Sequence, residues 1–272
     1  MIASSPLKTK NNQMKPTILF SMLLLLILLV NHAFAQHARF ATEGIIEFEK
    51  SVNMHAQIKK YINKDNEFYY IPAFEQYKKT KPQFRVLKST LTFSKDKTLF
   101  SPAPANESDR SWFSDIPATM QNNIIFTDLS TNTSITQKTV FEETFLIRDS
   151  TRKITWKITS ETRDIAGYSC RRANAIIMDS IYVVAFYTDE IPVSGGPESF
   201  TGLPGMILGV ALPHENMSWF AKLVTDKSLP SGTLIAPKKG KVTDNKGLLD
   251  TLMKVMKNWG SYAQHSLKSF LM

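Results

Sequence analysis

A chain of 272 residues with a formal net charge of +9 and a single cysteine, Cys170, is long enough for one large or two small domains but cannot close an internal disulfide. Its basic residues are scattered in short patches such as Lys59-Lys60, Lys78-Lys79, Arg171-Arg172 and Lys238-Lys239. With no long basic run and no nucleic-acid motif beside them, they read as a solvated surface, and nucleic acid is not an expected partner.

The chain opens on Lys8, Lys10 and Lys15, then an apolar run from Ile18 to Val30, then Ala33-Phe34-Ala35. That is the anatomy of a secretory leader with an A-x-A cleavage site. The run falls short of the roughly 20 apolar residues of a membrane span. Residues 1–35 are therefore expected to be a cleaved signal peptide and 36–272 a single β-rich domain delivered to the periplasm. No cysteine adjoins the cleavage point, so a lipoprotein is not expected.

Alternating polar and apolar residues predict a first strand over Gly44–Lys50, and further strands over Phe84–Phe93 and Thr98–Phe100. Ser51–Asn63 is ambiguous between helix and strand, and Asn66–Lys81 between helix and loop around Pro72. Asn123–Asp128 and Thr133–Lys138 flank a turn at Leu129–Asn132. Thr139–Ile147 and Lys153–Thr162 are expected to pair around Arg148–Arg152. Tyr168–Met178 and Ile181–Thr188 pair around Asp179-Ser180, and Met206–Leu212 and Met217–Thr225 around Pro213–Asn216. Strands joined by short turns with no helix between them pair antiparallel. The predicted fold is mainly β: an antiparallel meander forming a curved open sheet or a partly closed barrel, with a β-sandwich as the alternative. Near the end, Leu248, Leu252, Val255, Trp259 and Tyr262 recur at helical spacing, widened by Leu249, Met253 and Met256. They predict a C-terminal amphipathic helix laid on the sheet, capped by Thr243 or Asp244 and ended by Gly260.

The stretch from Gly195 to Leu212, GGPESFTGLPGMILGVAL, organises the latter half. Leu203 precedes a proline and is pushed to extended backbone. Pro204-Gly205 predicts a type II turn, so Gly202, Pro204 and Gly205 are assigned a structural turn. In the strand that follows, Ile207, Gly209 and Ala211 leave one face nearly bare, open to close approach.

Chemistry is harder to find. Ser150–Lys153 fits S-x-x-K, but in a turn rather than at a helix start, and no G-x-S-x-G elbow is present. His37, His55, His214 and His265 are isolated, and the glycine-rich stretches open no helix. No catalytic residue, metal site or cofactor is assigned. Cys170 is expected to be buried as a small apolar residue. Aromatic residues gather on the late strands, where sheet core and an apolar or peptide-binding groove are alternative readings. For the groove, Trp156, Tyr168, Tyr187, Phe200, Leu203 and Met206 are the candidate ligand-binding residues.

Three blocks carry a family likeness. TGLPGMILGV at Thr201–Val210 resembles the signature of the GLPGLI family of exported Bacteroidota proteins. WKITSETRDIAGYSCRRA at Trp156–Ala173 and FYTDEIPVSGG at Phe186–Gly196 resemble that family's upstream segments, in the same order. The resemblance implies an envelope protein of unestablished activity, considered alongside outer-membrane transporters, and carries over no catalytic residue. The expectation is a non-enzymatic envelope protein that binds an apolar, lipid-like or peptide ligand, or an outer-membrane transporter or other envelope partner. The alternative is a hydrolase whose site is assembled from distant residues.

Overall fold

A computed structural model describes residues 40–104, 111–120 and 123–272; the predicted signal peptide lies outside them. Twelve strands form one sheet: β1 (Glu43–Asn53), β2 (Phe84–Ser94), β3 (Lys97–Pro102), β4 (Ile124–Asp128), β5 (Thr133–Val140), β6 (Glu143–Ser150), β7 (Lys157–Ile165), β8 (Tyr168–Ile177), β9 (Ile181–Thr188), β10 (Met206–Leu212), β11 (Met217–Asp226) and β12 (Lys241–Thr243). Their order is β12-β6-β5-β4-β3-β2-β1-β11-β10-β9-β8-β7. All pairings are antiparallel except the short β12 against β6.

This order is two meanders joined at β1. The chain walks outward from β1 to β6, crosses to the far edge at β7, and walks back until β11 pairs with β1. The link from β6 to β7, residues 151–156, can span at most about 25 Å fully extended. In a flat sheet, with strands roughly 4.8 Å apart, β6 and β7 would stand about 48 Å apart. The sheet therefore has to curl until its two sides approach, while β12 and β7 remain open edges. The predicted curved open sheet with a C-terminal helix is the fold observed.

The inner face is the core. On β1, Gly44, Ile46, Phe48, Lys50 and Val52 are buried at alternate positions. On β10, Met206, Leu208, Val210 and Leu212 are fully buried. The face of β10 expected to be bare is covered from within the sheet. A Cβ on Gly209 would lie 2.7 Å from the Phe220 ring and 3.0 Å from Ile165. The register of β7 on β8 shifts between Ile158 and Thr162, and beyond it Arg163 stacks 4.8 Å over the Phe220 ring and 5.7 Å over that of Phe186. Cys170 is buried, and burial pushes its thiol up to about 12, followed by the fields of Glu190 and Asp164.

The segment between β9 and β10 does not hang outside. Gly195, Gly196, Pro197, Glu198, Phe200, Thr201 and Leu203 are buried. Gly195 lies against β3, where a Cβ would meet Thr98 Cγ2 at 2.7 Å. Phe200 packs on Trp219 of β11 with ring centroids 6.1 Å apart, and the Trp156 indole donates to Thr201 O at 2.9 Å. The loop thus fills the interior of the curled sheet. Pro204-Gly205 is not the type II turn that the dipeptide predicts. Gly205 N donates to Leu203 O at 2.8 Å, a tighter bend around Pro204, while Met206 N donates to Ile191 O at 3.0 Å instead of closing a four-residue turn. Gly205, at φ +155°, is still required: its Cβ would meet Thr188 O at 2.1 Å.

Buried charge sits where this loop meets the sheet. Glu198 is buried at φ +51° and accepts from Asn123 Nδ2 at 2.9 Å. Lys50 is buried with its ammonium 5.0 Å from the Trp219 ring centre. Lys138 is buried on β5, and burial lowers its ammonium to about 8, against the opposing pull of Glu198 and together with repulsion from Arg152 and Lys50.

Among the described residues the α-helices are α1 (Met54–Tyr61), α2 (Glu67–Thr80), α3 (Asn245–Val255) and α4 (Ser261–Leu271). The single C-terminal helix expected to end at Gly260 is a pair. Asp244 caps α3 by accepting from Gly247 N at 2.7 Å, and Gly260 at φ +56° starts α4 rather than closing the segment. Leu248, Leu252 and Met256 pack on Phe145 and Ile147 of β6, whereas Val255 and Trp259 remain exposed. Lys138 Nζ donates to Phe270 O at 2.5 Å and Arg152 Nη2 to Leu271 O at 2.7 Å, so two cations meet the last carbonyls of α4. The pairing predicted for Thr139–Ile147 and Lys153–Thr162 around Arg148–Arg152 does not form: a turn at Phe141-Glu142, with Val140 paired to Glu143, breaks the first segment, and β6 and β7 pair with β5 and β8 rather than with each other.

Two outcomes are expected. Gly205→Val forces a side chain into the Thr188 carbonyl and should lower stability by roughly 3 kcal/mol or more in urea unfolding; an unchanged midpoint would contradict the placement. Lys138 binds its proton more weakly folded than the 10.5 of its ordinary value, so its burial cost is present below pH 8 and relieved as pH rises toward 10.5. Relative to Lys138→Met, the wild-type chain should therefore gain about 2–3 kcal/mol of stability between pH 7 and pH 10. A pH-independent difference between the two would contradict it.

Candidate binding cleft

A cleft opens among the described residues away from the glycine-proline loop. Its volume is about 730 Å³, and its walls come from α1–α2 and the 111–120 segment on one side and from the β5–β6 turn, Trp259 and α4 on the other.

The first wall is fixed from the strand end onward. Asn53 caps α1 by accepting from Ala56 N at 3.2 Å, and Ile58 anchors the helix in the core. Gln57 and Lys60 tie α1 to the turn after β10 through Glu215 O at 2.6 Å and the Glu215 carboxylate at 3.2 Å. Asn66 is buried in the α1–α2 turn, accepting from Asn63 N and donating to Tyr61 O, both at 2.8 Å. On α2, Phe74 and Tyr77 are buried while Tyr69 is 52% exposed. Edge-to-face pairs run from Tyr69 to Tyr70 at 5.3 Å and from Tyr70 to Phe113 at 5.8 Å. The 111–120 segment is held by bonds to Ser114 O from Thr119 Oγ1 at 2.8 Å and from Arg85 Nη1 at 3.3 Å. It leaves the Trp112 side chain 70% exposed at the cleft.

The second wall hangs on Phe141. At φ +55° in the β5–β6 turn, it packs edge-to-face on Trp259 and on Phe270, each at 5.3 Å. Burial raises the Tyr61 phenol above its ordinary range, opposed by a hydrogen bond from Ser266. The cleft is thus aromatic on both sides, with few polar groups to direct a ligand.

The six residues assigned to a groove from the sequence lie elsewhere. Tyr187, Phe200, Leu203 and Met206 are at most 3% exposed in the main core, and Trp156 and Tyr168 are half-buried against it. Phe200, Leu203 and Met206 belong to the central loop and its junction with β10, Tyr187 pairs with Ile207 and Trp156 bonds Thr201 O beside them, Tyr168 packs on the core from the start of β8, and none of the six lines the aromatic cleft. Gly202 borders a separate polar pocket of about 290 Å³ with Arg152, Lys153, Ser194 and Thr201. Among the described residues no group of three or more His, Cys, Asp or Glu is placed to hold a metal ion. The cleft was missed because Tyr61, Asn66, Tyr69, Tyr70 and the 111–120 residues lie in stretches of weak periodicity, while Phe141 and Trp259 read as strand and helix packing residues. The available signal was the density of aromatics in Phe68-Tyr69-Tyr70 and Trp112-Phe113, which strand alternation does not explain.

A family model described as a protein of unknown function, Porph_ging, matches residues 176–209. Those residues run from the end of β8 through β9 and the central loop to Gly209. No curated protein matches the chain. Among solved structures the chain is similar to PNGF-II in two crystal forms. For the P21 form the identity is 19% and the TM-score 0.48, covering 81% of this chain and 34% of that one. For the C2 form they are 16% and 0.49, covering 80% and 33%. An uncharacterized conserved protein from Thermus thermophilus is similar at 5% identity and a TM-score of 0.38, covering 76% of this chain and 92% of that one. The chain spans about a third of the length of the PNGF-II chains it matches. At these TM-scores none of the likenesses bears on what this chain binds.

Proposed function

We propose that the chain is an exported, non-enzymatic binding protein of the cell envelope, of the GLPGLI type, and that the aromatic cleft is its ligand site. The observation that carries the reading is the cleft itself: about 730 Å³, within the range of small-ligand sites, with rings on both walls and Trp112 70% exposed. An exposed tryptophan beside Tyr69 costs hydration that a bound apolar body would relieve. The leader-like N-terminus supports a periplasmic setting, and the three sequence blocks, one of them inside the matched 176–209 region, support the GLPGLI assignment. In this reading the glycine-proline loop is the rigid filling of the sheet and the aromatic walls are where recognition happens. An outer-membrane transporter or other envelope protein is the partner class that goes with the family resemblance.

The test is a neutral apolar reporter, N-phenyl-1-naphthylamine, titrated into the purified chain. Its fluorescence should rise and saturate. Trp112→Ala and Tyr69→Ala, both at exposed positions, should weaken its binding about tenfold with unchanged melting temperatures. Saturable binding that ignores both substitutions would place the ligand site elsewhere and overturn the proposal.

A further inference from the structure

Charge distinguishes the cleft from the rest of the surface. On a chain with a formal net charge of +9, the described residues lining it include eight aromatic side chains, one carboxylate, Asp115, and no lysine, arginine or histidine. Asp115 is exposed in the 111–120 segment, two residues after the buried Phe113. Arg85 reaches that segment only to bind the Ser114 carbonyl and does not line the cleft. Of the lining amide and hydroxymethyl side chains, Asn66 bonds Asn63 N and Tyr61 O, and Ser266 bonds the Tyr61 phenol.

These facts separate the ligand classes. An anion would face Asp115 and meet no lysine, arginine or histidine among the described lining residues. A cation meets the opposite situation. The negative faces of aromatic rings attract ammonium groups, most strongly where water is displaced, and a nearby carboxylate adds to the attraction.

We propose that the cleft selects an organic cation carried on an apolar body, its ammonium group held among Tyr69, Trp112 and Trp259 and balanced by Asp115. This rests on the cleft being the ligand site. Selection against anions comes from Asp115 and from the lack of lysine and arginine among the described lining residues, and selection over neutral molecules from the rings and that carboxylate.

The experiment compares two molecules of the same shape by isothermal titration calorimetry: 3-hydroxyphenyltrimethylammonium and its neutral isostere 3-tert-butylphenol. The cation should bind at least about tenfold more tightly. Asp115→Asn, at an exposed position, should remove most of that preference by weakening the cation far more than 3-tert-butylphenol. Equal or tighter binding of the neutral phenol by the wild-type chain would overturn the cation proposal and leave the cleft reading standing. A preference that survives in Asp115→Asn but disappears in Trp112→Ala would overturn the role of the carboxylate. Failure of both molecules to bind at millimolar concentration would overturn the cleft as a ligand site altogether.

Discussion

Everything in this fold depends on putting a loop where a core should be. The segment between β9 and β10 runs through the inside of a curled sheet, and buried backbone must find hydrogen-bond partners. It finds them largely within itself. Val193 N donates to Ile191 O at 2.7 Å, Gly195 N to Val193 O at 2.8 Å, Phe200 N to Pro197 O at 3.2 Å and Ile207 N to Gly195 O at 2.8 Å. Ser194 Oγ accepts from Gly202 N at 3.2 Å, and Trp156 satisfies the Thr201 carbonyl. A segment this self-satisfied can be dry. The glycines serve close approach, since a Cβ on Gly196 would meet Phe200 O at 2.7 Å and Ile207 Cβ at 2.8 Å.

The filled interior explains the remaining architecture. A sheet with ten strand spacings between β6 and β7, joined by a six-residue link, has to curl, and a curled sheet has a hollow to fill. The loop supplies apolar bulk through Phe200 and Leu203, and it also brings Glu198 among Lys50 and Lys138. An acid at this position offsets part of the cost of two buried ammonium groups. Lys138 in turn reaches the end of α4, so the C-terminal pair of helices is tied to the same interior. The interior is occupied, and the aromatic cleft opens between α1, α2 and α4 beside the sheet.

Much of the fold was legible in the sequence because strands announce themselves by alternation. β1, β2 and the hairpins at Leu129–Asn132, Asp179-Ser180 and Pro213–Asn216 follow from pattern and turn chemistry. The turn at Phe141-Glu142 was hidden because neither residue is a turn former, and Phe141 takes a left-handed φ that sequence rules reserve for glycine or asparagine. Gly260 was legible as a helix boundary but not as the start of a second helix. The importance of Gly202–Met206 was also legible, yet its geometry was not: Pro204-Gly205 suggested a type II turn, whereas Gly205 N bonds Leu203 O and Met206 N bonds Ile191 O, with Leu203, Gly205 and Met206 buried and Gly202 and Pro204 exposed. The cleft was the least legible feature, since Tyr69, Trp112, Phe141 and Phe270 lie far apart in the chain and meet only through the fold.

The central claim is that the 191–207 segment belongs to the core, and amide hydrogen exchange tests it most directly. If the loop fills the sheet, the amides of Val193, Gly195, Met206 and Ile207 should exchange as slowly as those of β9 and β10, opening only with global unfolding. Fast exchange at these four positions alongside protected β9 and β10 strands would contradict the account.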